Sequence, residues 1–142
     1  MTLVLDASVI LKWLLEDPQR EPDTEKAVKV IQEVIAGRTA ILQPVHWLAE
    51  VGAVLARLSP ETAVEDLTLL SELQWPATGD TEVMRRATQL AIKTGGHLFD
   101  TLYHAVALEH PDATLITADE RYVGRAKEEG RIQPLKEWSA AP

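Results

Sequence analysis

Two acidic residues follow the two most strand-like apolar segments of the chain. Asp6 comes directly after Leu3-Val4-Leu5, and Asp119 follows the apolar run 113–117 with one alanine between them. In open α/β sheets, ligands bind in the crevice beyond the carboxyl ends of the strands. We expect Asp6 to face that crevice, because an unpaired carboxylate is costly to bury in a core. The sequence therefore predicts that two acids meet at one edge of a sheet.

Two further acids lie on helical segments, where both chemistry and ordinary structure offer an explanation. Glu50 falls with His46 and Arg57 on a narrow polar strip of a helix that is otherwise apolar almost all round. Glu50 is either a buried site residue or part of a solvent-facing strip near Arg57, since Glu is rarely buried unpaired. Asp100 begins a helical segment that follows two glycines. Asp100 and Asp119 can each also be explained as helix N-caps.

As a set, these four acids suit a hard divalent metal ion. Mg²⁺ and Mn²⁺ prefer carboxylate oxygens and water, and three or four acids from separate elements can hold one or two such ions. The chain contains 22 acidic residues, so some of them lie at helix starts by chance. Chance explains Asp6 least well, because only a crevice position spares it a buried charge.

Composition limits the class of protein. With 142 residues, the chain is expected to form one domain spanning 1–142. It contains no cysteine, which excludes disulfides, thiolate metal sites and a Cys nucleophile. No apolar run approaches the roughly 18 residues of a membrane span and no basic segment precedes the first apolar one, so we expect a cytoplasmic protein with no membrane partner. The net charge of −8 argues against a broad, nonspecific grip on nucleic acid.

Strand-like and helix-like segments alternate along the chain. Strand patterns cover 3–6, 40–42, 113–117 and 132–134, and helical spacing covers 8–15, 24–35, 44–58, 60–73, 81–92, 101–109 and 120–129. Pro44 and Pro60 are expected at helix starts, Asp80 is expected to cap a helix, and Asp17-Pro18 is expected to stop the first helix. This alternation predicts an α/β fold with a central, mainly parallel β-sheet and helices on both faces.

Four short motifs carry a resemblance to a known family. They are Val4-Leu5-Asp6-Ala7-Ser8, Leu48-Ala49-Glu50-Val51, Phe99-Asp100-Thr101-Leu102-Tyr103-His104-Ala105-Val106-Ala107 and Ile116-Thr117-Ala118-Asp119-Glu120-Arg121. In this order they resemble the PIN-domain nucleases, and most of all the VapC toxins of bacterial and archaeal toxin–antitoxin pairs. The resemblance spans nearly the whole chain and implies a PIN-like three-layer α/β sandwich.

The resemblance also implies a function. Such proteins are metal-dependent endoribonucleases that use Mg²⁺ or Mn²⁺. The catalytic and metal-binding acids that it implies are Asp6, Glu50, Asp100 and Asp119. Ser8 and Thr117 match positions that often support the site by hydrogen bonds. The implied partners are an RNA substrate, a second copy of the chain in a homodimer, and a cognate VapB-type antitoxin whose C-terminal segment reaches into the acidic site.

For this chemistry we expect water to hydrolyse an RNA phosphodiester. The metal ions lower the pKa of the attacking water and screen the developing negative charge, so no histidine general base is needed. The expected products are a 5′-phosphate and a 3′-hydroxyl. His46 and His104 are expected to lie on a helix surface or in ordinary hydrogen bonds. The sequence leaves open whether His104 or Glu120, which follows Asp119, takes part in the site.

A protein of a different class also fits the sequence. A catalytically inactive PIN fold would serve as an RNA-binding or protein-interaction module. Four intact acids argue against it, because a module that needs no metal has little reason to crowd like charges together. Trp13 and Trp47 lie on separate helices rich in apolar residues. Each either packs in the core or lines a groove for an antitoxin helix or a dimer face.

Overall fold

The computed structural model describes residues 1–15 and 23–142. Its strands are β1 Thr2–Leu5, β2 Ala40–Ile41, β3 Gln43–Pro44, β4 Ala77–Thr78, β5 Ala113–Thr117 and β6 Ile132–Pro134. Its helices are α1 Ala7–Leu15, α2 Thr24–Ile35, α3 Trp47–Leu58, α4 Ala63–Glu72, α5 Thr81–Thr94, α6 Leu98–Glu109 and α7 Glu120–Ala126, with short 3₁₀ turns at Lys127–Glu129 and Leu135–Glu137. None of these helices is long and apolar enough to cross a membrane. The predicted stop at Asp17-Pro18 lies outside the described residues.

The central sheet has four parallel strands in the order β2-β1-β5-β6. Strand β1 pairs with β5 along its whole length, which places Leu5 opposite Ile116. Leu3, Val4 and Leu5 are all buried, although successive side chains of a strand point to opposite faces. Both faces of the sheet are therefore covered by helices. The predicted α/β fold with a parallel central sheet is confirmed.

Helix α6 is buried along most of its length. Every residue from Thr101 to Ala107 is buried, and the helix packs against β1, β5 and α5. His104 lies inside, with Nδ1 2.9 Å from the hydroxyl oxygen of Tyr122 and Nε2 2.8 Å from the carbonyl oxygen of Gly130. Burial lowers the pKa of His104. His104 is therefore a hydrogen-bonded core residue and does not contribute to the acidic edge.

The third helix begins later than the sequence pattern predicts. Gln43 and Pro44 form β3, which pairs in parallel with β4. The amides on either side of the proline nitrogen, those of Gln43 and Val45, donate to the carbonyl oxygens of Pro76 and Thr78 at 2.9 and 3.0 Å. Pro44 needs no partner because it has no N–H, so it fits this strand as well as a helix start. The prediction of a helix from residue 44 is wrong at its first turn.

Other helix boundaries also differ from the prediction. Ser59 ends α3 by donating its amide to Leu55, and α4 starts at Ala63, so the predicted start at Pro60 is wrong. Helix α6 starts three residues before the predicted 101, and α7 ends at Ala126, where a 3₁₀ turn follows. The predicted cap of α5 is confirmed, since the Asp80 carboxylate accepts a hydrogen bond from the amide of Val83 at 3.0 Å.

Both tryptophans considered as interface anchors pack on the core. Trp47 is 4% exposed, and its ring stacks on that of Trp75 with 5.0 Å between centroids. Trp13 is partly buried against the same core. Trp47 therefore stabilises the fold and does not line a groove.

Candidate active site

Asp6 lies at the carboxyl end of β1 and is 8% exposed. Its amide donates to the carbonyl oxygen of Ile116 on the neighbouring strand at 3.1 Å, so the β1–β5 pairing holds its backbone. Its Oδ2 accepts a hydrogen bond from the amide of Ser8 at 3.0 Å. The pKa of Asp6 is raised to about 7, mainly by burial and to a lesser extent by the charges of Glu50 and Asp100, while hydrogen bonds from Ser8 act to lower it. Asp6 is thus a buried acid held close to other acids.

Asp100 lies in the first turn of α6 and is partly buried. Burial raises its pKa, and the charges of Glu50 and Asp119 add to the effect. The cap of α6 is His97, whose Nδ1 accepts from the amide of Phe99 at 3.1 Å. The alternative that Asp100 is a helix N-cap is therefore wrong. Its carboxylate belongs to the acidic group.

Glu50 lies in the first turn of α3 and shares a polar strip with His46, as predicted. Its Oε2 is 3.3 Å from Nε2 of His46, whereas Arg57 is exposed elsewhere on the helix. The alternative of a solvent-facing pair with Arg57 is wrong, because the Glu50 side chain is only 18% exposed. That same oxygen is buried and accepts no hydrogen bond. Glu50 therefore keeps one buried carboxylate oxygen, Oε2, that accepts no hydrogen bond inside the acidic group.

Asp119 follows β5 and serves as the N-cap of α7. Its Oδ1 accepts from the amide of Tyr122 at 3.0 Å, so the capping interpretation is confirmed for this acid. The carboxylate still acts electrostatically on Asp100. Asp119 therefore both caps α7 and belongs to the acidic group.

The four acids thus form one electrostatically coupled group at the carboxyl ends of β1 and β5. All four supply carboxylate oxygens, the ligand type that Mg²⁺ and Mn²⁺ prefer, and one buried oxygen of Glu50 accepts no hydrogen bond. A cation among them would relieve the repulsion that raises the pKa of Asp6 and Asp100. Within residues 1–15 and 23–142, no three Asp, Glu, His or Cys side chains already converge as a complete metal centre. The donor chemistry fits a divalent metal ion, while the side chains are not yet gathered around one point.

Comparison with known protein families identifies the family of the fold that carries the acidic group. The chain matches the PIN domain family over residues 3–128, which includes all four acids. The chain is a PIN domain. PIN domains are generally nucleases, so the acidic group lies in a fold that usually hydrolyses nucleic acid. A search of the curated proteins gave no match to the chain.

Ser8 and Thr117 hold the two loops of the PIN domain that carry Asp6 and Asp119. Ser8 Oγ accepts from the amide of Ala118 at 3.0 Å, and its hydroxyl also hydrogen-bonds Asp6. Thr117 is buried, and its Oγ1 accepts from the amide of Asp119 at 3.0 Å. These contacts tie the ends of β1 and β5 together.

Glu120 faces a different neighbour from the other acids. Its Oε1 lies 2.6 Å from Nζ of Lys136, and both side chains are more than half exposed. A pair this exposed adds little stability. Glu120 therefore stands outside the acidic group of the PIN domain, which answers the question that the sequence left open.

The sequence pattern missed the residue that fixes the end of β1. Gln43 is fully buried, and its side chain donates to the carbonyl oxygen of Leu5 at 2.9 Å and accepts from the amide of Leu5 at 2.8 Å. It thereby pairs with the backbone of Leu5 as a neighbouring strand would. Only the polarity of Gln43 beside an apolar strand could have suggested such a role.

The second missed contact joins the starts of α3 and α6. Nε2 of His46 lies 2.9 Å from the carbonyl oxygen of Phe99, and the His46 ring contacts those of Phe99 and Tyr103 at centroid distances of 5.2 and 5.0 Å. The Tyr103 side chain is fully buried, and burial followed by the charge of Glu50 raises the pKa of its hydroxyl. His46 therefore holds the helices that carry Glu50 and Asp100 together.

The stability of the metal-free PIN domain is expected to depend on the charge of Asp6. Its pKa is about 7 in the folded chain against 3.8 for the ordinary group, so the folded state binds the extra proton between these values. The contribution of protonated Asp6 to the free energy of unfolding is complete below about pH 4 and is lost as the pH rises through about 7. Asp6→Asn, which cannot ionise, should be more stable than the wild type above about pH 7, by a few kcal/mol at most.

Urea unfolding in the presence of chelator, from about pH 5 to about pH 8, measures this difference. We expect the gap between Asp6→Asn and the wild type to shrink as the pH falls. His104, whose lowered pKa favours the folded state at high pH, is present in both proteins and cancels. A gap that stays constant with pH would show that Asp6 does not carry the raised pKa.

Proposed function

We propose that this PIN domain is a metal-dependent endoribonuclease. The observation that carries the proposal is the group of four mutually repelling carboxylates at the carboxyl ends of β1 and β5, where the ligands of α/β sheets bind. Burying Asp6 beside Glu50 and Asp100 destabilises the folded chain, so a compensating ligand of positive charge is the natural occupant. Membership of a family whose members are generally nucleases supports the same conclusion.

The four carboxylates would hold one or two Mg²⁺ or Mn²⁺ ions. When bound, such an ion lowers the pKa of water and screens negative charge on a phosphodiester. The chain supplies the support: Ser8 orients the carboxylate of Asp6, and Thr117 fixes the backbone that carries Asp119. Glu50 offers its unpartnered oxygen, either to an ion directly or through water. We expect a 5′-phosphate and a 3′-hydroxyl at the cut.

The finer assignment is that the protein acts as the toxin of a VapBC-type toxin–antitoxin pair, as a single PIN domain of residues 1–142 that forms a homodimer. The acidic site and the net charge of −8 suit an antitoxin with a basic tail. Arg side chains can pair with carboxylates through two parallel hydrogen bonds, and would then compete with metal for the same oxygens. This is a proposed mode of inhibition that does not require the tail to resemble RNA.

Removal of metal tests the proposed activity. We expect the purified protein to cut total cellular RNA into discrete fragments with Mg²⁺ or Mn²⁺, and cleavage to fall to background when a chelator is added. Glu120→Gln is the matched control, because it removes an exposed acid that pairs with Lys136 outside the acidic group. This variant should cut like the wild type.

Three outcomes would contradict the proposal. Fragments that persist in chelator, or that end in a 2′,3′-cyclic phosphate, would exclude metal-assisted hydrolysis by water. A wild-type protein that binds RNA but cuts none with any divalent metal would favour the inactive RNA-binding module. Such a module would share two features of the described residues: Asp119 caps a helix, and no three potential metal ligands converge among residues 1–15 and 23–142.

A further inference from the structure

The chain has a single phenylalanine, and it is half exposed beside the acidic group. Phe99 immediately precedes Asp100 and is 50% exposed, although aromatic rings of this size usually contribute to the core. Phe99 lies outside the buried stretch of α6, which begins at Thr101. Half of the ring is therefore open to contact with another molecule.

The ring is nonetheless held in place. The His46 ring lies 5.2 Å from it between centroids, and the His97 ring packs edge-on at 5.0 Å. The backbone of Phe99 is fixed as well, because its amide donates to His97 and its carbonyl oxygen is 2.9 Å from Nε2 of His46. A flat surface fixed in this way loses little conformational freedom when another ring packs on it.

The charge around the site limits how RNA could be held there. The net charge is −8, so we expect no broad grip of Lys and Arg on the RNA backbone. Stacking of a base on an aromatic ring needs no positive charge and tolerates any sequence. Only an unpaired base can reach such a ring, because the bases of a duplex are stacked on one another.

We infer that Phe99, braced by His46 and His97, is a stacking surface for one unpaired base of a single-stranded RNA whose neighbouring phosphodiester lies at the acidic group. The inference rests on the proposed function and adds a positioning residue, Phe99, for the RNA strand. The Phe99 ring contacts the His46 ring, and Nε2 of His46 lies 3.3 Å from Oε2 of Glu50, so the Phe99 ring lies beside the acidic group. This location favours an RNA base over a protein partner.

The test measures the binding of a single-stranded oligoribonucleotide of mixed sequence that carries one fluorescent 2-aminopurine. The parent protein carries Asp6→Asn, so the RNA stays intact in Mg²⁺. We expect binding to quench the fluorescence, Phe99→Leu to weaken binding about tenfold and abolish the quench, and Phe99→Tyr to retain both. Leu keeps the apolar character and removes the aromatic face. Ile92→Ala, at an 81% exposed apolar site on α5, is the matched control and should bind like the parent.

Several results would overturn the inference. Phe99→Leu could bind and quench like the parent, or a fully paired duplex could quench as strongly as the single strand. Sedimentation could instead show that Phe99→Leu dissociates a dimer while the quench persists, which would make Phe99 a subunit contact.

The same measurements separate this inference from the proposed nuclease function. If the wild type cleaves cellular RNA but Phe99→Leu quenches the fluorescence as strongly as the parent, the stacking role of Phe99 is wrong and the nuclease function is retained. If the quench depends on Phe99 but the wild type never cleaves RNA, the stacking role of Phe99 is retained and the protein is an RNA-binding module without nuclease activity.

Discussion

Asp6→Asn is expected to lower the rate of RNA cleavage by more than about a hundredfold, since even the loss of an outer-shell partner of a metal ligand can cost that much. Asp6 is the most buried of the four acids, and both Glu50 and Asp100 act on its charge. Asn keeps an oxygen that can accept from the amide of Ser8, so the local fold is retained. The measurement is the initial rate of cleavage of total RNA in Mn²⁺, with folding checked by circular dichroism.

Asp112→Asn is the control for this variant. Asp112 precedes β5 and its side chain is 76% exposed, where it pairs with the amino group of Met1 at 3.1 Å. The substitution removes the same charge from the same residue type outside the acidic group, so we expect cleavage at the wild-type rate. If Asp6→Asn cut RNA within a few-fold of the wild type, the acidic group would not be the catalytic site.

Gln43→Leu is expected to destabilise the fold by roughly 2–6 kcal/mol, because it leaves the buried N–H and C=O of Leu5 without partners and each such loss costs about 1–3 kcal/mol. Gln43 is fully buried, so water cannot replace the two hydrogen bonds. Urea unfolding measures the loss, and faster exchange of the Leu5 amide would locate it. Metal affinity should fall as well, since Leu5 carries the backbone into Asp6.

Gln89→Leu provides the comparison for this second variant. Gln89 is exposed on α5, so the same substitution there should change stability by less than about 0.5 kcal/mol. Equal stability of Gln43→Leu and the wild type would mean that the end of β1 finds other partners. The role of Gln43 in holding the strand that leads to Asp6 would then be withdrawn.

The parts of the fold that depend on local pattern were predictable. Apolar runs of strand length alternate with helical spacing, and this alone indicates a parallel sheet with Asp6 and Asp119 at one edge. The two-residue strands β2, β3 and β4 are too short to show a period, so β4 was missed and β3 was assigned to a helix. Pro44 could not distinguish a strand from a helix start. Proline is tolerated in the first turn of a helix and also at a strand position whose N–H would have no partner.

The site was predictable as a set of residue types but not as a set of contacts. The four acids were identified, yet the sequence could not tell that Asp119 caps a helix while Asp100 does not. The contacts of Gln43 with Leu5 and of His46 with Phe99 join residues 38 and 53 positions apart. Such pairings depend on the packing of whole elements, which no local period encodes.

The hydrogen bond from Ala118 to Ser8 joins residues 110 positions apart, and the β1–β5 pairing beside it is equally long-range. Pairings of such high sequence separation form late in folding, because the intervening chain must be closed into a loop first. On the ribosome, a nascent chain cannot make this contact until β5 has left the exit tunnel. Asp6 is therefore synthesised early and remains without the neighbouring charges of Asp100 and Asp119 for most of the time that the ribosome needs to make the chain. The acidic group of the PIN domain is therefore expected to be complete only after β5 has been synthesised.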